Sequence, residues 1–398
     1  MNKTDKTNWQ TKKLGEVCDI GAGNSAPQKK EYFVDGVYPF FRTSDIGQIH
    51  IGRITESSDY LNEKGIKGLK LFNKGTILLP KSGASTFLNH RVVLDIDGYV
   101  SSHLATVKTD EKVLNNNYLF YFLQEVKAQD LIQDHKYPSL NLPVIGNIEI
   151  SYPKSLPEQH RIVKILDEVF ADVAKAKENA EKNLQNSKEL FESYLQRVFA
   201  NPGHDWEEKR LGEAYDVRDG THDSPKYQKE GYALITSKNL KRDELDYQKI
   251  KYISEKDYKK INERSKVHKG DILFAMIGTI GNPVVIKTEP DFAIKNVALF
   301  KIPKEQNSYF LKYFLDSKFV IDKMMSEAKG TTQKFVGLGY LRNFKIQLPK
   351  LDEQKSIVAK LDALSAETRK LETIYQQKLT DLEELKKSVL KRAFNGDL

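Results

Sequence analysis

The chain predicts a duplicated, mixed α/β (α+β) protein: two globular domains, each followed by one long helix, with the two helices pairing as an antiparallel coiled coil. Three observations carry this. Short motifs recur in the same order at offsets of 195 to 197 residues. Two stretches of about 40 residues are almost free of glycine and proline and repeat apolar residues at three-and-four spacing. Elsewhere, β-rich runs alternate with turn residues. The period is far longer than the roughly 20 to 50 residues of solenoid units, so the chain is a tandem duplication of a domain plus a helix.

Taken in order, residues 1–154 form the first globular domain, 155–201 the central helix, 202–350 the second domain and 351–398 the C-terminal helix. The first domain opens at Trp9 with Leu14-Gly15-Glu16, and the second at Trp206 with Leu211-Gly212-Glu213. Lys74-Gly75-Thr76-Ile77-Leu78 returns as Lys269-Gly270-Asp271-Ile272-Leu273. Strand-like runs fall at 76–79, 91–94, 271–275 and 296–300, and helical stretches with aromatics on one face at 118–132 and 309–325. The loop Gly21 to Pro27 has no clear counterpart in Asp219 to Pro225, as expected if one frame serves two targets.

The central helix starts at Ser155-Leu156-Pro157-Glu158, a capping-box spacing with proline in the first turn, and stops at Asn201-Pro202-Gly203. Its seam is Ile162, Leu166, Val169, Val173 and Leu184. The C-terminal helix presents Ile357, Leu361, Leu364, Leu371 and Leu382 and ends at Asn395-Gly396. One narrow seam on so long a helix suits a coiled coil. The seams pair with each other, or each packs on its own domain or on an outside partner. A pseudo-two-fold relation between the copies makes the pairing antiparallel and matches the dyad of duplex DNA; a parallel pairing loses that match.

The composition, 39% hydrophobic and 30% charged, excludes bulk disorder. No apolar run approaches the roughly 18 residues of a membrane span. Cys18 is the only cysteine, so neither an intrachain disulfide nor a cysteine-built zinc site can form. The polar start predicts no signal peptide and, with the single cysteine, a cytoplasmic protein. The net charge of +8 divides as +2 over residues 1–156, −1 over 157–201, +7 over 202–350 and 0 over 351–398. Basic domains on neutral helices suit a polyanion held by the domains; the plainer reading is solubility alone.

Candidate DNA-contacting residues are those whose side chains suit base edges or phosphates and whose places repeat between the halves. In the first domain they are Arg42, Thr43, Ser44, Lys81, Ser82, Arg91, Lys136 and Tyr137. In the second they are Thr221, His222, Lys226, Tyr227, Thr236, Ser237, Lys238, Asn239, Thr331, Thr332, Gln333 and Lys334. Polar loops are commonly just solvated, which is the competing reading for each. Catalytic patterns are missing. Asn282-Pro283-Val284-Val285 lacks the second proline and aromatic of an amino-methyltransferase motif, and no phosphate loop or Rossmann spacing occurs. His90, His103 and His222 stand alone.

These residues resemble the specificity subunit of type I restriction–modification systems. The resemblance spans the chain and rests on Trp9 and Leu14-Gly15-Glu16 with Tyr152-Pro153-Lys154 and Glu158-Gln159. The second set is Trp206 and Leu211-Gly212-Glu213 with Leu348-Pro349-Lys350 and Glu353-Gln354. Asp219 to Pro225 also looks like a recurrent variant of that family's second target-recognition domain. The resemblance implies a non-catalytic subunit whose two domains each read half of an asymmetric, interrupted DNA site, with the coiled coil as spacer. It implies two methyltransferase subunits bringing S-adenosylmethionine to an adenine in each half, and motor–nuclease subunits using ATP and magnesium. This chain would hold no cofactor and no metal. The alternatives are a recognition subunit of a methylation-only system and a coiled-coil scaffold without a DNA role.

Overall fold

The structure, a computed structural model, describes residues 8–132, 136, 138–330 and 334–398. It forms two compact units, Met1–Asn179 with Lys378–Leu398 and Ala180–Gln377.

In the first unit the opening strand Trp9–Lys13 pairs antiparallel with the closing strand Glu149–Pro153, Trp9 facing Pro153. One helical turn follows, Leu14–Val17. Leu14 is fully buried, and the Glu16 carboxylate accepts the Lys13 N–H at 3.1 Å. The recurrent Leu-Gly-Glu is therefore a helix start: an apolar anchor with an acid on a free N–H of the first turn. A five-stranded sheet runs Cys18–Ala22, Leu104–Thr109, Ile77–Pro80, Arg91–Leu94, Ile51–Ile54, all antiparallel except the last pair. A three-stranded sheet runs Asp59–Leu61, Tyr38–Phe41, Tyr99–Val100. Ile77–Pro80 and Arg91–Leu94 are buried throughout, which is why they read as continuous apolar runs rather than alternations.

The helical stretch expected over 118–132 is two helices, Asn116–Glu125 and Ala128–Leu131. Val126 and Lys127 are extended between them. Arg91 accounts for the break. Its fully buried guanidinium donates from Nε to the Leu123 carbonyl at 2.9 Å and from Nη2 to that of Val126 at 2.8 Å. A cation on the last carbonyls ends the first helix. The Asn89 side chain accepts the Ala128 N–H that opens the second, at 2.8 Å.

The second unit repeats the plan. Glu207–Arg210 pairs with Lys345–Leu348, and Leu211–Ala214 carries Glu213, whose carboxylate accepts the Arg210 N–H at 2.9 Å. A four-stranded sheet runs Asp216–Asp219, Val297–Lys301, Ile272–Ala275, Gly281–Val285, and a three-stranded one Lys251–Ile253, Tyr232–Ile235, Ala293–Ile294. The stretch expected over 309–325 divides at Ser317 into Ser308–Asp316 and Lys318–Glu327, the Ser317 hydroxyl donating to the Phe314 carbonyl at 2.7 Å.

The long helices are Leu156–Ala200 and Leu351–Phe394. Each start is joined to a domain by the glutamine of the Glu-Gln repeat. Gln159, fully buried, donates to the carbonyls of Pro153 at 2.8 Å and Val113 at 3.1 Å, and accepts the Asn115 N–H at 2.7 Å. Gln354 donates to Pro349 and accepts the Asn307 N–H in the same way. Asn115 and Asn307 are the N-caps of Asn116–Glu125 and Ser308–Asp316, so each glutamine fixes the helix that its domain lays on the long helices. A tyrosine–carboxylate bond repeats as well, Tyr121 to Asp167 and Tyr313 to Asp362.

The recurrent phenylalanine near each helix end closes a core. Phe394 meets Tyr118 and Phe122 edge-on in the first unit, at 5.3 and 5.5 Å between ring centres. Phe199 meets Phe310 and Phe314 at 5.4 and 5.5 Å in the second. In the first unit the helices run antiparallel: Arg161 donates to the Leu398 carbonyl, and Lys177 pairs with Glu383 at 2.8 Å. Of the expected seam, Ile162, Leu166 and Leu361 are buried, and Val169, Val173, Leu184, Ile357, Leu364 and Leu382 half-buried. Leu371 is not a seam residue; it is 36% exposed. In the second unit Ser187, Ser365 and Thr368 are buried instead. The Ser187 and Thr368 hydroxyls donate to carbonyls of their own helices, so small side chains with satisfied hydroxyls replace large apolar ones.

Candidate nucleic-acid interface

In each unit the candidate loops leave the same end of the main sheet. In the first, Cys18–Ala22 and Ile77–Pro80 finish there and Leu104–Thr109 begins there, with Ala22 and Leu79 both opposite Ala105. Gly23 and Asn24 follow the first of these strands. Asn24 bridges Ser101, and Ser102 N–H donates to the Asn24 carbonyl at 2.7 Å. Ser82 bridges Ser139, and its hydroxyl lies 2.8 Å from His103 Nδ1. Asn24, Ser102, His103 and Ser82 thus share one edge, with half-buried Lys81 next to it. Lys136, exposed, lies just before Pro138, whose carbonyl accepts the Gly83 N–H. Tyr137 lies outside the described residues.

The second unit places the same backbone at the same end. Gly220 N–H donates to the Val297 carbonyl as Gly23 N–H does to that of Leu104. Thr221 bridges Lys295 as Asn24 bridges Ser101. The loops that look unrelated in sequence therefore share one frame. A β-carbon on Gly23 would stand 2.2 Å from the Ser101 carbonyl oxygen, and one on Gly220 2.4 Å from that of Ile294. Only glycine fits either position. What differs is chemistry. His222 places Nε2 2.8 Å from Asp219 Oδ2 and Nδ1 2.9 Å from Asn296 Oδ1. Lys295 donates to the Ser224 hydroxyl at 2.6 Å. Arg264 donates to Asp219 Oδ1 at 2.8 Å. Beside them lies a recess of about 340 Å³ lined by Thr221 to Pro225 and by Asp257, Lys260 and Arg264.

Several candidates hold the fold rather than face a ligand. Arg91 lies inside, and burial brings its pKa down to about 10, so it remains a cation at neutral pH. Asn239 is buried; its Oδ1 accepts from the Thr236 N–H and hydroxyl, and its Nδ2 donates to the Asp246 carbonyl. It and Thr236 close a turn. Ser237 donates to the Asn296 carbonyl at 3.2 Å, and Lys238 is exposed. Arg42 lies over Phe33 and Phe40, at 5.9 and 5.2 Å, and pairs with Asp59. Thr43 is half-buried and Ser44 exposed beside it. Lys226 and Tyr227 are exposed, with Lys251 over the Tyr227 ring at 4.2 Å. Lys334 is exposed, its carbonyl accepting the Gly278 N–H. Thr331, Thr332 and Gln333 lie outside the described residues.

Sequence reasoning missed Asn24, His103, Arg264, Lys295 and Asn296. Asn24 and Thr221 could have been matched through the glycine before each. Arg264 ends the helix Glu255–Ser265, away from any loop, so nothing local marks it. The three histidines are not isolated: His90 is buried with its Nδ1 3.3 Å from that of His50, and burial holds its pKa below the usual histidine range. Asn282 to Val285 is simply strand. Among the described residues no group of three or more acidic, histidine or cysteine side chains could hold a metal ion, and no helix is long and apolar enough to cross a membrane.

Comparison with known proteins agrees. The family described as type I restriction modification DNA specificity domain matches twice, over residues 6–183 and 203–381. The MjaVIII specificity subunit of Methanocaldococcus jannaschii is 24% identical over 412 residues, covering 98% of this chain and 93% of its own. The EcoBI specificity subunit of Escherichia coli is 29% identical over 173 residues, 43% of this chain and 36% of its own. The fold resembles a chain of a solved type I R-M system, with TM-score 0.80, 20% identity and full coverage of both. It also resembles the HsdS subunit of Thermoanaerobacter tengcongensis, with TM-score 0.66, 20% identity and 98% and 97% coverage.

Proposed function

Because the chain belongs to the type I restriction–modification DNA specificity family, we propose that it is a non-catalytic subunit whose two domains read the two halves of an interrupted, asymmetric DNA site. The observation that carries this reading is the shared edge: one backbone frame in each unit, presenting different side chains. Equivalent frames suit one task, and different side chains suit two targets. Base contacts from these edges would specify, while the lysines of the basic domains would add affinity that falls with salt. The long helices would set the gap between the half-sites and seat two methyltransferase subunits, with motor–nuclease subunits joining them. S-adenosylmethionine, ATP and magnesium would be held by those partners, in a prokaryotic cytoplasm.

The test is to co-express the chain with a methyltransferase subunit of its system and to map adenine methylation across the host genome. An interrupted motif with one methylated adenine in each half supports the reading. The absence of a motif, or one that persists without this chain, would overturn it and favour a scaffold without a DNA role.

A further inference from the structure

Arg264 is the best-organised cation on the reading edge of the second unit. It is anchored through one nitrogen only. Nη2 donates to Asp219 Oδ1 at 2.8 Å and to the Gly220 carbonyl at 3.1 Å, with a longer contact of 3.4 Å to the Asp219 carbonyl. Among the described residues Nε and Nη1 make no hydrogen bond, and the side chain is 63% exposed. The brace is itself firm. Asp219 is 12% exposed, ends a sheet strand, and is also held by His222, which reaches Asn296 in turn. A carboxylate on one nitrogen fixes the guanidinium plane and leaves the rest of the fork open.

Such a fork matches one base. Guanine alone presents two adjacent acceptors, O6 and N7, on its major-groove edge, and arginine pairs with both. A phosphate contact would need neither a fixed plane nor a rigid brace. Arg42 lacks this freedom, since Phe33 and Phe40 flank it.

We infer that Arg264, held by Asp219, reads a guanine in the half-site recognised by residues 202–350, and that Asp219 is its positioning residue. The inference rests on the bipartite-reading proposal above. In the methylation map, Arg264→Gln and Arg264→Lys should each relax one guanine position of one half-site, cutting its preference by roughly 10- to 100-fold. Lysine keeps the charge but not the fork, so it should not restore the preference. Asp219→Asn should weaken the same position and no other, which separates positioning from a general loss of folding. The other half-site should stay unchanged in all three variants.

An unchanged motif would overturn the inference, as would an even loss of methylation at every position with a shallower salt dependence, the mark of a phosphate contact. If the unsubstituted chain directs no motif at all, the bipartite reading itself fails, which is a distinguishable result.

Discussion

Replacing Gln159 by leucine tests how a long helix is fixed to its domain. The side chain is fully buried, so volume is nearly kept while three hydrogen bonds go. The Asn115 N–H and the carbonyls of Pro153 and Val113 lose their partner together. At about 0.5–1.5 kcal/mol net for each bond, the expected loss is about 3 kcal/mol. At about 1.4 kcal/mol per tenfold change, this raises local opening of the cap of Asn116–Glu125 roughly 100-fold. Amide hydrogen exchange at Asn115 and through that helix reads it directly. Gln159→Glu should do no better, because an oxygen would then face two carbonyls. Gln354→Leu should act in the same way on Asn307. A change below about fivefold at Asn115 would refute the reasoning, since a buried N–H cannot lose its only strong acceptor so cheaply.

Three further outcomes follow from the packing. Arg91→Met should cost about 2–4 kcal/mol, since three carbonyls lose a buried cationic donor, yet leave the recognised bases unchanged in a methylation map at a permissive temperature. Leu361→Ala should cost about 2–5 kcal/mol in denaturant unfolding, and Leu371→Ala under about 1, because only the first is buried. His90 is held neutral by burial, with His50 and Arg91 adding to the effect, so its folded pKa lies below its unfolded one. Its contribution should be complete above the unfolded value near 6.5 and fall as acid charges the unfolded chain first. Stability measured between pH 7.5 and 5.5 should therefore drop more steeply with His90 than in a His90→Asn variant.

The duplication and the long helices were legible in the sequence because their signals are local and periodic. The helix ends at Leu156, Ala200, Leu351 and Phe394 lie within a residue of where the capping and stop signals put them. The paired motifs were legible as motifs but not as mechanisms. That Gln159 and Gln354 hold the caps of helices more than 40 residues earlier is visible only once the domains close. Arg91 and Asn239 show the opposite failure. An arginine or asparagine beside a strand suits a base edge and a chain carbonyl equally well, and residue type cannot tell which partner the fold supplies. The broken helices at Val126 and Ser317 have the same cause, because the groups that take their last carbonyls come from tertiary contacts. Leu371 kept the period of the seam but not its burial, since small hydroxyl residues hold the contact at Ser365 and Thr368. Arg264 was invisible because its partner Asp219 lies 45 positions away.

The measurement that most directly tests the central claim is a domain exchange. Residues 1–154 are replaced by the first domain of another family member, and adenine methylation is mapped with the same methyltransferase subunits. The account predicts a new sequence in one half-site only, with the other half and the gap retained. A change in both halves, or in neither, would contradict the claim that each domain reads its own half.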